Sequence, residues 1–257
     1  MNSQRRPPVQ AAAPPDSLGP QHLTTRSRRD QLRDNLNRTR EAIAAACSDA
    51  GRTPDSVRLI VVTKTFPSSD AATLVELGQT DLGENRDQEA APKAAELGAA
   101  GLEPVWHFVG QLQRNKAKSV AGYADWVHSV DRAPLAAALS NAANAHGRTL
   151  NALIQVSLDG DTARGGVPVA DLEPLAEAIA AAPALVLKGV MAVAPLGWEP
   201  ARAFALLNEC SERVRRTDPG ATEVSAGMSG DYREAVLAGA TMVRLGRNVL
   251  GEREPMA

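Results

Sequence analysis

A lysine closes the most apolar stretch of the chain, Leu59-Ile60-Val61-Val62-Thr63-Lys64. An ammonium group is costly to bury unless it is paired or neutralised. At a strand end, Lys64 either snorkels out to water or serves chemistry that needs a neutral amine. Apolar surroundings lower an amine's pKa and supply the lone pair that attacks an aldehyde. Further on, Ser225-Ala226-Gly227-Met228-Ser229-Gly230-Asp231 places small residues at the opening of a helix. Gly227 and Gly230 admit a ligand close to the backbone, Ser229 supplies a hydroxyl, and N–H groups at a helix start attract phosphate. The same residues also describe an ordinary Ser or Asp cap, and Asp231 weighs toward the cap. Near the end of the chain, Arg244 alternates with Val243 and Leu245 and so points to the opposite strand face. An arginine in a partly closed site calls for an anionic or lone-pair partner. Gly246 and Arg247 add backbone amides beside it. An amine, a phosphate cradle and an arginine together suit a phosphorylated aldehyde, and the spacing does not choose among such aldehydes.

Two further stretches carry polar candidates. In Gly83-Glu84-Asn85-Arg86-Asp87, Asn85 or Glu84 reads as a cap for the next helix. In Trp106-His107-Phe108, strand alternation puts His107 on the face opposite its aromatic neighbours. A lone histidine there reads as a satisfied core residue before it reads as a catalyst. His22, His128 and His146 show no clustering with it at metal-ligand spacing, so no metal is expected. Cys47 and Cys210 are too few and too far apart for a disulfide framework or a zinc site, which suits a reducing cytoplasm.

These residues need a scaffold that gathers them. Short apolar runs predict strands at 57–63, 80–83, 105–110, 126–130, 150–157, 185–192, 223–226 and 242–246. Helix-like segments lie between them at 68–77, 85–97, 113–121, 133–145, 169–182, 200–216 and 231–238. Leu32, Leu36, Ile43 and Cys47 recur at helical spacing and place one more helix ahead of the first strand, over 27–50. Eight strands alternating with helices predict a single (β/α)8 TIM barrel, with a doubly wound open sheet as the competing arrangement. In a barrel the site sits at the C-terminal ends of the strands, where Lys64, Ser229, Arg244 and Gly246 all fall. The last strand leaves little chain for an eighth helix, so that helix is stunted or the N-terminal one replaces it. Residues 1–26, rich in proline, read as a disordered tail, and 27–257 as the barrel domain. Aromatics make up only 3% of the chain, so its core rests on aliphatic side chains. A net charge of −2 excludes a strongly basic nucleic-acid surface, and no apolar run is long enough to cross a membrane.

The motifs "VVTKTFP", "LGENRDQE", "WHFVGQLQRNK", "GVMAVAP" and "SAGMSGDYREAVLAGATMVRLGRNVLG" together resemble the pyridoxal-phosphate homeostasis family (YggS/PROSC), over residues 30 to 253. The resemblance implies a barrel like the N-terminal domain of alanine racemase, of the type III pyridoxal-phosphate fold. It implies pyridoxal 5′-phosphate held as an internal aldimine on Lys64. The phosphate site maps onto Met228, Ser229, Gly246 and Arg247, within the stretch opened by Ser225. Arg244 matches the arginine facing the pyridine nitrogen, and Asn85, His107 and Met191 match pocket-lining residues. A cation at the ring nitrogen weakens the ring as an electron sink. The implied role is non-catalytic, to buffer the cofactor and hand it to apo-enzymes; the chain is expected to be a cytoplasmic monomer.

The sequence departs from the family's commonest pattern at Phe66, where a second lysine is frequent, and at Arg247, where Thr or Ser is frequent. The competing function is a cofactor-dependent amino-acid racemase, which needs a base on each face of the substrate. Tyr123 and Tyr232 are the only tyrosines available for the second face. A lysine-dependent aldolase on the same fold is a further alternative.

Overall fold

The computed structural model describes residues 26–252. The expected tail, 1–26, therefore lies outside the described residues except for its last position. The order of elements is α1 (Arg28–Asp49), β1 (Arg58–Val62), α2 (Ser68–Glu76), β2 (Asp81–Glu84), α3 (Asp87–Ala99), β3 (Val105–Phe108), α4 (Ala117–Tyr123) and β4 (Trp126–Val130). There follow α5 (Ala133–Ala145), β5 (Leu150–Ser157), β6 (Val167–Pro168), α6 (Leu172–Ala180), β7 (Leu185–Met191), α7 (Pro200–Thr217), β8 (Glu223–Ser225), α8 (Tyr232–Leu237), β9 (Met242–Leu245) and α9 (Arg247–Leu250). Every strand pair is parallel. Strands β1 to β5 and β7 to β9 close into a ring through β4–β5 and β1–β9, and β6 is a two-residue addition beside the end of β5. The chain is a (β/α)8 barrel.

Alternation along each strand sorts side chains between two cores. In β1, Leu59 and Val61 pack outward against the helices, while Ile60 points inward with Trp126, Leu153, Met191 and Met242. In β9, Val243 and Leu245 face outward, so Met242 and Arg244 face the interior. In β3, Trp106 and Phe108 join the outer clusters and leave His107 inside. The interior is thus aliphatic and thioether at some levels and polar at others.

Helix α1 closes the ring's outer layer. Ser27 caps it, accepting from the Asp30 N–H, and Leu32, Leu36, Ile43 and Cys47 are buried on one face. Asn35 donates to the Val249 carbonyl, which ties α1 to the four-residue α9. Both sequence expectations for this region hold together: the last helix is stunted, and α1 covers the gap beside it.

Most bounds shift by one to three residues from the expected ones, and the short β6 has no expected counterpart; three of the differences bear on the site. The first strand stops at Val62 rather than Thr63, because the backbone turns over Thr63 to Phe66. Helix α3 starts at Asp87, with Arg86 as its cap position, so neither Glu84 nor Asn85 caps it; Glu84 belongs to β2 and is buried. The segment expected as one helix from 113 opens with a 3₁₀ turn, Arg114–Lys116, and continues as α4. Leu36 is 1% exposed on the α1 face that covers the ring. Leu36→Ala should lower the unfolding free energy by about 2–5 kcal/mol, read by urea titration, with helix content retained.

Candidate functional site

At the C-terminal end of the ring a cavity of about 630 Å³ opens, within the size range of small-molecule sites. One wall carries Lys64 and Phe66 from the β1–α2 turn. Asn85 and Gly110, after β2 and β3, form the next. On the other side of β1, Gly246 and Arg247 follow β9, and Met228, Ser229, Gly230 and Asp231 follow β8. Met191 and Arg244 line the inner end. Of the residues matched to the cofactor pocket, His107 and Ser225 do not line this cavity. Both lie beneath it, in the barrel interior.

The turn that carries Lys64 is held on either side of it by groups from the next βα unit. Thr63 is fully buried, and its hydroxyl donates to Glu84 Oε1 at 2.7 Å. Lys93 Nζ donates to that same oxygen and, at 2.9 Å, to the Thr63 carbonyl. The Thr65 N–H donates to Glu89 Oε2 at 2.9 Å. Thr65 itself sits at φ +67°, the one non-glycine residue with positive φ among those described. That conformation is strained for a β-branched residue and persists where its surroundings impose it. The Glu84–Lys93 pair is 1% and 6% exposed, so the charges compensate each other with little help from water. Neither Lys93 nor Glu89 was signalled by the sequence beyond their place in and after "LGENRDQE".

Phe66 lines the cavity rim and packs on the outer cluster. The Arg28 guanidinium lies 5.9 Å from its ring centroid while also pairing with Asp70. The aromatic ring thus joins α1 to the site wall, a packing role that a lysine would not fill. Asn85 is fixed by Gly110: a Cβ at 110 would overlap the Asn85 carbonyl.

The β8–α8 turn owes its shape to Gly227, at φ +88°, where a Cβ would lie 2.8 Å from Tyr232 Cα. Asp231 stands at the N-cap position of α8 but makes no side-chain cap hydrogen bond, so the cap expected there does not form. Its Oδ1 accepts the Met228 N–H at 2.6 Å. The carboxylate therefore occupies the Met228 amide, and Ser229, Gly230, Gly246 and Arg247 line the cavity beside it. The Arg247 side chain is exposed at the rim.

Arg244 is 5% exposed. Its Nη1 donates to Ser225 Oγ at 2.6 Å and its Nη2 to the Ala192 carbonyl at 2.9 Å. Burial pulls its pKa down to about 10, opposed by Asp231, so it stays protonated at neutral pH. Ser225 Oγ lies 3.0 Å from His128 Nδ1, His128 Nε2 lies 2.9 Å from His107 Nδ1, and His107 Nε2 lies 3.0 Å from Asp81 Oδ1. The absence of clustering expected around the histidines is corrected here: His107 and His128, on adjacent strands, meet inside the ring. A spacing of 21 residues gave no hint of this, because register between β3 and β4 sets it. Among the described residues no group of acidic, histidine and cysteine side chains is placed to hold a metal ion.

Burial holds both histidines below their ordinary pKa. For His107, Asp81 and Asp125 oppose the shift while Arg58 adds to it; for His128, His107, Arg244 and Arg58 reinforce it. For Asp81, burial acts to raise the pKa, but the hydrogen bond and charge of His107, with Thr80 and Arg58, hold it below the ordinary carboxylate value.

The alanine racemase N-terminal domain family model matches residues 28–254. The pyridoxal phosphate homeostasis protein of Mycobacterium leprae is 42% identical over 240 residues, covering 87% of this chain and 93% of that protein. The protein of the same name from Escherichia coli K12 is 37% identical over 231 residues, covering 88% of this chain and 98% of its own. The chain belongs to the pyridoxal phosphate homeostasis family. Among solved structures, PipY of Synechococcus elongatus with PLP bound is 33% identical, with a TM-score of 0.75, covering 86% of this chain and 100% of that one. Alanine racemase from Corynebacterium glutamicum, at 16% identity and a TM-score of 0.61, shares the fold; 86% of this chain matches 60% of that one.

Two outcomes follow for this family member. Lys93→Met strands a buried Glu84 carboxylate and should cost about 3–5 kcal/mol by urea titration, with much of the loss recovered in the Glu84→Gln/Lys93→Met double variant. The second concerns pH. Neutral buried histidines have folded pKa values below the unfolded value near 6.5, so the unfolded chain binds protons first as pH falls. Stability should be full above that value and decline below it, by up to about 1.4 kcal/mol per pH unit for each histidine. Asp81, whose pKa is lowered, adds nothing until the carboxylate range. Flat stability between about pH 7.5 and 5.5 would show that the histidines are not held neutral.

Proposed function

We propose that the chain binds pyridoxal 5′-phosphate, with Lys64 as its attachment point, and acts as a carrier and buffer of that cofactor. The observation that carries this reading is the single cavity bounded by the Lys64 amine, the Ser229–Gly230 and Gly246–Arg247 turns, and the buried Arg244. When bound, the cofactor supplies an aldehyde to the amine and an aromatic ring as electron sink. Ser229, Gly230, Gly246 and Arg247 are the residues to hold its phosphate, and Asn85 and Met191 border its ring. Arg244 places a fixed cation at the inner wall, which disfavours protonation of a ring nitrogen facing it and so limits carbanion chemistry.

The racemase reading is opposed by the tyrosines. Tyr123 packs into the outer layer between the two large clusters, and Tyr232 lies in α8 against the outer cluster; neither lines the cavity. The relatives' name supports homeostasis over catalysis. Recipients are then apo-enzymes that use the cofactor, and the carrier acts as a monomer. Two buried free thiols, Cys47 and Cys210, support a reducing, cytoplasmic setting. No helix among the described residues is long and apolar enough to cross a membrane.

Adding pyridoxal 5′-phosphate to the purified protein should give a visible absorption band, and borohydride reduction should label Lys64 in peptide mass analysis. Lys64→Ala should lose both. A band that survives in Lys64→Ala would move the attachment to another lysine, with Lys116 examined first. D-alanine formed from L-alanine faster than about 1 s⁻¹ would replace the carrier reading with the racemase.

A further inference from the structure

The polar column beneath the cavity has two ends that cannot change role. Arg244 only donates hydrogen bonds, and an ionised Asp81 only accepts them. Each group between them must therefore pass the same polarity on. Ser225 Oγ accepts from Arg244 Nη1 at 2.6 Å, so its hydroxyl proton is directed to His128 Nδ1, 3.0 Å away. With Nδ1 accepting, the His128 proton sits on Nε2 and is donated to His107 Nδ1 at 2.9 Å. With that Nδ1 accepting, the His107 proton sits on Nε2 and is donated to Asp81 Oδ1 at 3.0 Å. This arrangement satisfies every link with both imidazoles neutral.

The surroundings favour it over its competitor. An extra proton on His107 would force His128 to donate from Nδ1, and Ser225 Oγ would then accept twice. It would also add a second cation to an interior that already holds Arg244. Arg58, whose guanidinium lies over Trp126 at 5.3 Å and whose Nε is 3.8 Å from Asp81, adds positive charge at the other end. The Trp126 ring stacks on His107 at 5.6 Å with an interplanar angle of 15°, which fixes the imidazole plane. Asp125, the remaining charge facing His107, already pairs with Arg148.

We infer that Asp81, His107 and His128 are positioning residues for Arg244. They form a directional hydrogen-bond relay through the barrel interior that fixes which N–H groups the guanidinium turns toward the cavity. A ligand at the inner wall then meets donors only, which selects a ring or chain that offers a lone pair there. The identity of that ligand rests on the cofactor reading above; the relay is a property of the chain alone.

The test uses the full chain without ligand, labelled with ¹⁵N-histidine and ¹⁵N-arginine, by long-range ¹H–¹⁵N correlation at neutral pH. Both His107 and His128 should be neutral with the proton on Nε2. A proton on Nδ1 of either ring, or an imidazolium, overturns the relay. Asp81→Ala should shift His107, then His128, then the Arg244 guanidinium signals, whereas Leu153→Val, a packing change in the same interior, should leave the tautomers in place. If Asp81→Ala moves His107 alone, the groups do not act together and the inference falls. Should that variant fail to fold, the wild-type tautomers decide. Failure to bind pyridoxal 5′-phosphate would overturn the functional reading without touching these signals.

Discussion

A guanidinium inside a parallel barrel is the constraint around which the rest of this structure is arranged. Arg244 is buried, charged and unable to accept a hydrogen bond, so every neighbour must offer it an oxygen or give up the position. The Ala192 carbonyl and the Ser225 hydroxyl do so. Satisfying Ser225 in turn draws His128, then His107, then Asp81 into the interior. The aliphatic filling of the ring is confined to Ile60, Leu153, Met242 and their neighbours for this reason.

The amine side of the cavity is organised differently. Lys64 lies on a turn whose own backbone is strained at Thr65. Its geometry comes from side chains of the following unit, Glu84, Lys93 and Glu89, which bind the turn at three backbone or hydroxyl groups. One wall is therefore set by an interior polar column and the other by a buried ion pair in the outer layer.

Most of the scaffold was legible in the sequence. Strands 126–130 and 150–157 and the helix 133–145 appear with the expected bounds, because short apolar runs and alanine-rich helical periodicity leave little competition between them. Arg244 could be placed inward from alternation with Val243 and Leu245. What could not be read was which polar residues meet. Glu84 reads locally as a helix cap and Lys93 gives no signal of its own; only the packing of α3 on β2 joins them. His128 lies among apolar neighbours in a strand and reads as isolated until register brings it to His107. Pairing across strands is fixed by closure of the ring, and a linear pattern carries no record of it.

Closure has one more consequence. Lys64 follows the first strand, Arg244 lies in the last with Gly246 and Arg247 just after it, and these strands are neighbours, with Val61 in register with Leu245. The cavity thus straddles the seam where the two ends of the barrel join. During synthesis the amine emerges early, but the neighbouring wall exists only after some 180 further residues have folded. Holding a ligand is therefore an all-or-none property of the closed ring, and the ligand bridges the join that a partly folded chain leaves open.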